Sequence, residues 1–343
     1  MIHRLTQVAT AAAAALAATI ALPALAADAP HPSGLHVVSR IAGPDGGWDL
    51  ASFDAAQGRV YVAHSSQVIA IDTNTGKANL TFATGDRLHA VIPIPGAGLL
   101  LTTNGGDNTA RIIRASDGAP VASVPTGAKP DAAIWDPVSR LALVMDAGSG
   151  EITLVDVKAA KAVGTIMVGG ALEMPALDGK GRLYVNVEDK NEIAVVDLKT
   201  RATVAHYPLA GCEGPTGLAY VSGGRLVSSC ANGVAKIIDA ATGHENASLK
   251  IGAFPDAVLY DDVRGLALIP SAVSGTLAVI ALKGAGDNTV VDSVATQIGA
   301  RTGAVDPKSG RVYLPTAEYV LPVPAGQRPT TKPGTFTVLV LDR

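Results

Sequence analysis

Strand-length apolar runs and polar turns alternate along most of this chain, and the alternation is itself periodic. A run that usually opens on Gly-Arg, or on a remnant of it, returns seven times at intervals of roughly 40 to 46 residues. The copies are Gly58-Arg59-Val60-Tyr61-Val62, Gly98-Leu99-Leu100-Leu101, Arg140-Leu141-Ala142-Leu143, Gly181-Arg182-Leu183-Tyr184-Val185, Gly224-Arg225-Leu226-Val227, Arg264-Gly265-Leu266-Ala267-Leu268 and Gly310-Arg311-Val312-Tyr313-Leu314. After each comes a polar turn and a second apolar strand, such as Val68-Ile69-Ala70-Ile71-Asp72 or Ile193-Ala194-Val195-Val196-Asp197. The second repeat shows the full unit: an inner strand over His89 to Ile94, then Leu99 to Thr103, Ala110 to Ala115 and an outer strand over Ala119 to Val124. A four-stranded sheet cannot bury both of its faces alone and must stack on its neighbours, so this period predicts an all-β, seven-bladed β-propeller.

The turns support this reading. Third strands close on Asp and a short polar connection, as in Asp72-Thr73-Asn74-Thr75-Gly76, Asp197-Leu198-Lys199-Thr200 and Asp239-Ala240-Ala241-Thr242-Gly243. An Asp side chain bonds backbone two residues on, and Gly accepts positive φ, so these are tight structural turns. The last repeat lacks an outer strand, which Leu35 to Ile41 near the N-terminus is placed to supply beside Thr335 to Asp342, closing the ring without a free edge. Between the strands of that repeat, Thr316 to Gly334 carries four prolines and is expected to be a long loop over the face where inner strands begin.

The segment from Met1 to Ala26 reads differently from the rest. Arg4 precedes the small, apolar run Val8 to Ala21, and Ala24-Leu25-Ala26 fits a small-x-small cleavage site. The run is shorter than the ~20 residues of a spanning helix, so a cleaved signal peptide over 1–26 is expected, with a single propeller domain over 27–343. The mature protein would be exported, periplasmic or secreted, with no transmembrane segment. Cys212 and Cys230 flank the open end of one predicted hairpin, Gly217 to Val221 paired with Leu226 to Ser229, and a disulfide is expected between them in an oxidising compartment. The net charge of −3 offers no footprint for duplex nucleic acid, and a monomer is expected.

The Gly-Arg-Val-Tyr-Val form at Gly58 to Val62, its variants at Gly181 and Gly310, and the strand entrances Lys129-Pro130-Asp131-Ala132 and Phe254-Pro255-Asp256-Ala257 together resemble the YVTN-repeat, or YncE-like, family. The ending from Tyr313-Leu314-Pro315-Thr316-Ala317-Glu318-Tyr319 to Pro333-Gly334-Thr335-Phe336 is similar to that family as well. The resemblance spans nearly the whole mature chain. It implies a seven-bladed propeller, mostly found exported, and transfers no set of catalytic residues.

Inner strands surround the central channel, so residues at their entrances converge on one mouth. Aligning the seven entrances puts Asp49, His89, Asp131, Glu173, Glu213, Asp256 and Arg301 at or near one level. Carboxylates with one imidazole could hold a divalent cation, with Asp131, Asp256 and His89 the candidate ligands, and crowded acids raise one another's pKa. A solvated polar vestibule is the plainer reading of the same residues. His64 and Asn104 are expected on the same face, and Trp48, Tyr319 and Phe254 as a stacking surface for a flat ligand or a single strand of nucleic acid; Trp135 is expected deeper, between blades. No Cys-x-x-Cys-His, P-loop, G-x-S-x-G elbow or zinc-protease motif occurs, and two tryptophans are few for a quinone-dependent propeller, so neither haem, PQQ nor nucleotide is expected. The leading expectation is a binding scaffold holding a small ligand, metal ion, protein or peptide at its mouth. The alternatives are a lactone or ester hydrolase, with Glu173 or Asp131 as base and His89 with Arg301 at the oxyanion, and a purely structural interaction module.

Overall fold

In a computed structural model, which describes residues 33–283, 288–320 and 329–343, seven antiparallel four-stranded sheets form a seven-bladed β-propeller. The described residues hold almost no helix; one 3₁₀ turn spans Glu188–Lys190. Blade 2 runs Leu88–Ile94, Leu99–Asn104, Thr109–Arg114 and Pro120–Pro125, within a residue or two of the sequence expectation. Blade 5 holds Pro215–Val221 and Arg225–Cys230, and the expected disulfide joins Cys212 to Cys230 with their Cα atoms 5.4 Å apart. The expected signal peptide lies outside the described residues, and no described helix is long and apolar enough to cross a membrane.

The termini share blade 7. Ala304–Val305, Val312–Thr316 and Thr337–Asp342 are completed by His36–Ala42, in register from His36 opposite Asp342 to Ala42 opposite Thr337. Each blade thus has an outer strand, and the ring carries no unpaired terminal edge.

Second and third strands read as continuous apolar runs because a neighbouring blade covers each face, whereas outer strands alternate with solvent. The core is accordingly divided into seven clusters, one per seam. At the closing seam, Val60, Val62, Ile69 and Ile71 of blade 1 pack on Tyr313, Val338 and Val340 of blade 7. Fully burying one such side chain is worth about 1.5–3 kcal/mol. Tyr61, Tyr184 and Tyr313 are all buried at seams, as their repeated position suggests. The Asp turns form as expected: Asp72 accepts the N–H groups of Asn74 and Thr75 at 3.0 and 2.8 Å, and Asp239 those of Ala241 and Thr242 at 3.1 and 2.9 Å.

The channel is floored with apolar side chains. Leu50, on the blade 1 entrance, packs against the cluster of blades 3 and 4, and Met174, on the blade 4 entrance, packs against the cluster of blades 6 and 7. Both side chains therefore cross the axis directly beneath the neighbouring residues Asp49 and Glu173.

Candidate functional site at the channel mouth

Inner strands enter their sheets through irregularities in register. Pairing skips between Leu88 and Val91, Pro130 and Ala133, Leu172 and Pro175, and Pro215 and Leu218. Two residues thereby stand opposite one, and a bulge of this kind turns its extra side chain out of the sheet. The bulge positions hold His89, Asp131, Glu173 and Thr216. Asp49, Asp256 and Arg301 occupy the same place in the other blades, between Trp48 and Ala51, Pro255 and Val258, and Ala300 and Gly303.

Buried hydroxyls fix these entrances to their neighbours. Thr103 Oγ1 accepts the Ala90 N–H at 2.9 Å and donates to the Asp131 carbonyl at 2.5 Å. Thr302 Oγ1 donates to the Asp49 carbonyl at 2.7 Å, and Thr216 Oγ1 to that of Pro255 at 3.0 Å. Asn186 Nδ2 donates to the Thr216 and Gly217 carbonyls at 3.1 and 3.0 Å. The backbone beneath the mouth is thus set from blade to blade by inter-blade hydrogen bonds.

Two cations, His89 and Arg301, pair with carboxylates across it. His89 Nδ1 lies 2.7 Å from Asp49 Oδ2 and 3.8 Å from Asp131 Oδ1, so Asp49, His89 and Asp131 bring three ligand-type atoms within 4.8 Å of one another. Gly105 makes this approach possible, since a Cβ there would stand 2.8 Å from His89 Nε2. Across the mouth, Arg301 Nε donates to Asp256 Oδ2 at 2.8 Å and Nη2 to the Trp48 carbonyl at 2.8 Å, with the guanidinium over the Trp48 ring.

Carboxylates outnumber these cations. Burial, then the charges of Asp131, Asp256, Glu188 and Asp49, pushes Glu173 up to about 10. Burial and the Asp49 charge raise Asp131 to about 7 against the opposing pull of His89. Burial and Asp49 likewise raise Asp256 to about 6, with Arg301 acting against them. His89 is raised, chiefly by its hydrogen bond to Asp49. The apolar floor supplies the desolvation and the crowding supplies the repulsion. At neutral pH Glu173 therefore keeps its proton, and Asp131 is poised between its two forms.

Several candidates stand elsewhere than expected. Glu213 is exposed, three residues ahead of the blade 5 bulge, with its N–H donated to Asn232 Oδ1 at 3.3 Å; the mouth position is Thr216. The repeated Pro-x-small pattern of Pro130-Asp131-Ala132, Pro255-Asp256-Ala257 and Pro215-Thr216-Gly217 is the signal for that register. The carboxylate that blade 5 does not supply comes from Glu188, in the 3₁₀ turn after the second strand of blade 4. His64 is 2 % exposed, edge-on to Phe336 at 4.4 Å, and belongs to the core beneath the mouth. Asn104 is fully buried and ties its own loop, donating to Thr102 and Thr109 and accepting the Asp86 N–H. Trp48 is 5 % exposed and covered by Arg301, Phe336 and Tyr319, so it props the mouth and offers no open stacking face. Phe254 is 58 % exposed. Tyr319 opens a zipped stem in which Val320 N–H donates to Thr330 at 2.9 Å and Lys332 N–H to Glu318 at 2.7 Å. The tip of that loop, 321–328, lies outside the described residues, and with it the expected roof.

Fold and mouth define a seven-bladed propeller with an acidic, partly desolvated vestibule. No family model matches the chain, and no curated protein matches it. Among solved structures it is similar to a chain of the Kuenenia stuttgartiensis hydrazine synthase, with a TM-score of 0.70 and 14% identity over 81% of this chain and 94% of that one. A chain of a mitotic checkpoint complex is similar at a TM-score of 0.72 and 15% identity, over 86% and 93%. At such identity these likenesses establish the fold alone.

Proposed function

We propose that this chain is an exported propeller of the YVTN-repeat kind that serves as a binding scaffold, holding a positively charged group in its channel mouth. The observation that carries the reading is the excess of carboxylates over cations at the bulge positions, with Glu173 raised to about 10 and Asp131 to about 7 above an apolar floor. A divalent ion, or the ammonium group of a small ligand or peptide, would replace the protons these acids retain and relieve their repulsion. Carboxylate oxygens with one imidazole suit a calcium-like or a borderline transition-metal ion. The disulfide between Cys212 and Cys230 and the leader-like segment from Met1 to Ala26 support an extracytoplasmic setting.

Calorimetric titration with Ca²⁺, Mn²⁺, Zn²⁺ and a lysine-rich peptide tests the reading, in wild type and in Asp131→Asn/Glu173→Gln. Saturable binding that releases protons near neutral pH and disappears in the variant is expected. No binding of any of these probes, or binding indifferent to the two substitutions, refutes it.

One observation favours a second reading. His89 Nδ1 and Asp49 Oδ2 stand 2.7 Å apart. Asp49 holds His89 toward its charged form, as a group that steadies a developing oxyanion requires, and this favours a lactone or ester hydrolase with Asp131 as base. A panel of lactones and esters with no turnover above buffer, with and without divalent metal, would sink it.

A further inference from the structure

At the face away from the mouth, side chains from the start of the second strand plug the seams that follow blades 1, 4 and 5. In blade 1, Arg59 Nη1 donates to the carbonyls of Ala115 and Ser116 in the turn of blade 2, both at 3.0 Å, and Tyr61 Oη to that of Ala115 at 3.2 Å. In blade 4, Tyr184 Oη donates to Ala240 of blade 5 at 3.0 Å. In blade 5, Arg225 Nη2 donates to Leu282 of blade 6 at 2.8 Å.

Blade 2 carries no such plug, nor does blade 3, whose equivalent residues are Leu141 and Leu143. Arg59 stands opposite Asp54 in its sheet, and the equivalent partner of Ile94 is Leu99, so Leu99 and Leu101 fill the places of Arg59 and Tyr61. Neither offers a donor or the same reach to the turn of blade 3, where Val157 and Lys158 stand in the places of Ala115 and Ser116. A cleft of about 860 Å³ lies where the plug would be. Its apolar walls include Leu99, Val121, Leu141 and the half-buried Trp135, and Val121 is 53 % exposed. Arg140 and Lys158 line it as exposed cations with no ion-pair partner among the described residues. The one acid in the lining, Asp156, is engaged by the Ala159 N–H at 2.9 Å.

We propose that this cleft between blades 2 and 3 is a binding site for a small aromatic carboxylate. The cleft volume falls in the range of small-molecule sites, and apolar walls with a few placed polar groups are their usual lining. The ring lies against Trp135 and Leu99, and the carboxylate meets Arg140 and Lys158, whose guanidinium and ammonium groups suit an anion. The site is on the opposite face from the mouth and independent of it.

Isothermal titration calorimetry with 4-hydroxyphenylacetate, and with its uncharged amide, tests the assignment. Wild type is expected to bind the acid saturably with a sub-millimolar dissociation constant, and the amide at least about tenfold more weakly. Arg140→Gln/Lys158→Gln changes only exposed side chains and is expected to weaken the acid by about tenfold or more. Leu99→Trp refills the seam and is expected to abolish binding, with circular dichroism confirming the fold. No saturable heat with wild type, equal affinity for acid and amide, or unchanged binding in Arg140→Gln/Lys158→Gln overturns the proposal. Glu173→Gln leaves this binding intact, which separates the outcome from that of the mouth.

Discussion

Replacing Glu173 by glutamine is expected to stabilise the protein at neutral pH and to leave it almost unchanged in acid. The folded chain holds the Glu173 proton up to about pH 10, against an ordinary value of 4.5. Because the folded value is raised, the unfolded chain releases this proton first, and stability is lost as pH rises from the unfolded value toward the folded one. Each pH unit in that window costs about 1.4 kcal/mol for a fully uncoupled group, which gives an upper bound of about 4 kcal/mol at about pH 7.5. Asp131 shares the same field, so about half of that bound, about 2 kcal/mol, is a reasonable expectation for one substitution. Glutamine keeps the volume and removes the titration. In a chelator-containing buffer, thermal melts at about pH 7.5 should place the variant roughly 4 °C above wild type, at about 2 °C per kcal/mol for a domain of this size. At about pH 4.5 the two curves should coincide, since neither form then carries the extra charge. A variant no more stable than wild type at the higher pH, or one stabilised equally at both, would refute the picture of a desolvated acid crowded by other carboxylates.

Further outcomes follow from other parts of the molecule. Replacing Cys212 and Cys230 by serine opens a loop with a sequence separation of 18. It is expected to cost about 3 kcal/mol, read as a lowered melting temperature that reductant reproduces in wild type. Thr103→Val leaves the Ala90 N–H and the Asp131 carbonyl without their buried hydroxyl. The expected loss is about 2 kcal/mol in denaturant unfolding, and a loss below about 0.5 kcal/mol would count against the hydroxyl as a blade-to-blade tie. Burial lowers His64 below its ordinary 6.5, so the unfolded chain takes up that proton first and stability falls as pH drops below 6.5. His64→Gln should flatten this part of the stability curve relative to wild type, and an identical slope in the two proteins would show that His64 is not the group responsible.

The blades were legible because every second and third strand is an apolar run bounded by turn residues, and because Gly-Arg or a remnant of it marks each return. The closing strand was legible for a different reason: the last repeat is visibly one strand short and the N-terminal segment visibly has none to pair with. At the mouth, charge was a good guide wherever the bulge residue is itself charged, as at Asp131 and Asp256. It misled at blade 5, where the bulge residue is Thr216 and the nearest carboxylate, Glu213, lies outside the bulge; Pro215-Thr216-Gly217 carried the register without carrying charge. Glu188 reaches the mouth from a loop that no repeat pattern describes. His64 shows the limit of assigning a face by strand order. It ends a second strand, but the following Ser65 and Ser66 accept the N–H groups of Leu88 and Gly85, and Phe336 closes over the ring.

The strand His36–Ala42 pairs with Thr337–Asp342, so the contact that completes the circle joins the first-made part of the described chain to the last-made part. Six blades can form as local hairpins while synthesis proceeds, each from neighbouring sequence. The seventh has no such option, because its outer member waits, unpaired, until the final strand arrives. Circularity is thereby tied to completeness: a chain truncated before Thr337 can stack blades but cannot lock them, and it displays an unpaired edge at each end of an open arc, a ready template for aggregation and an early opening for proteases.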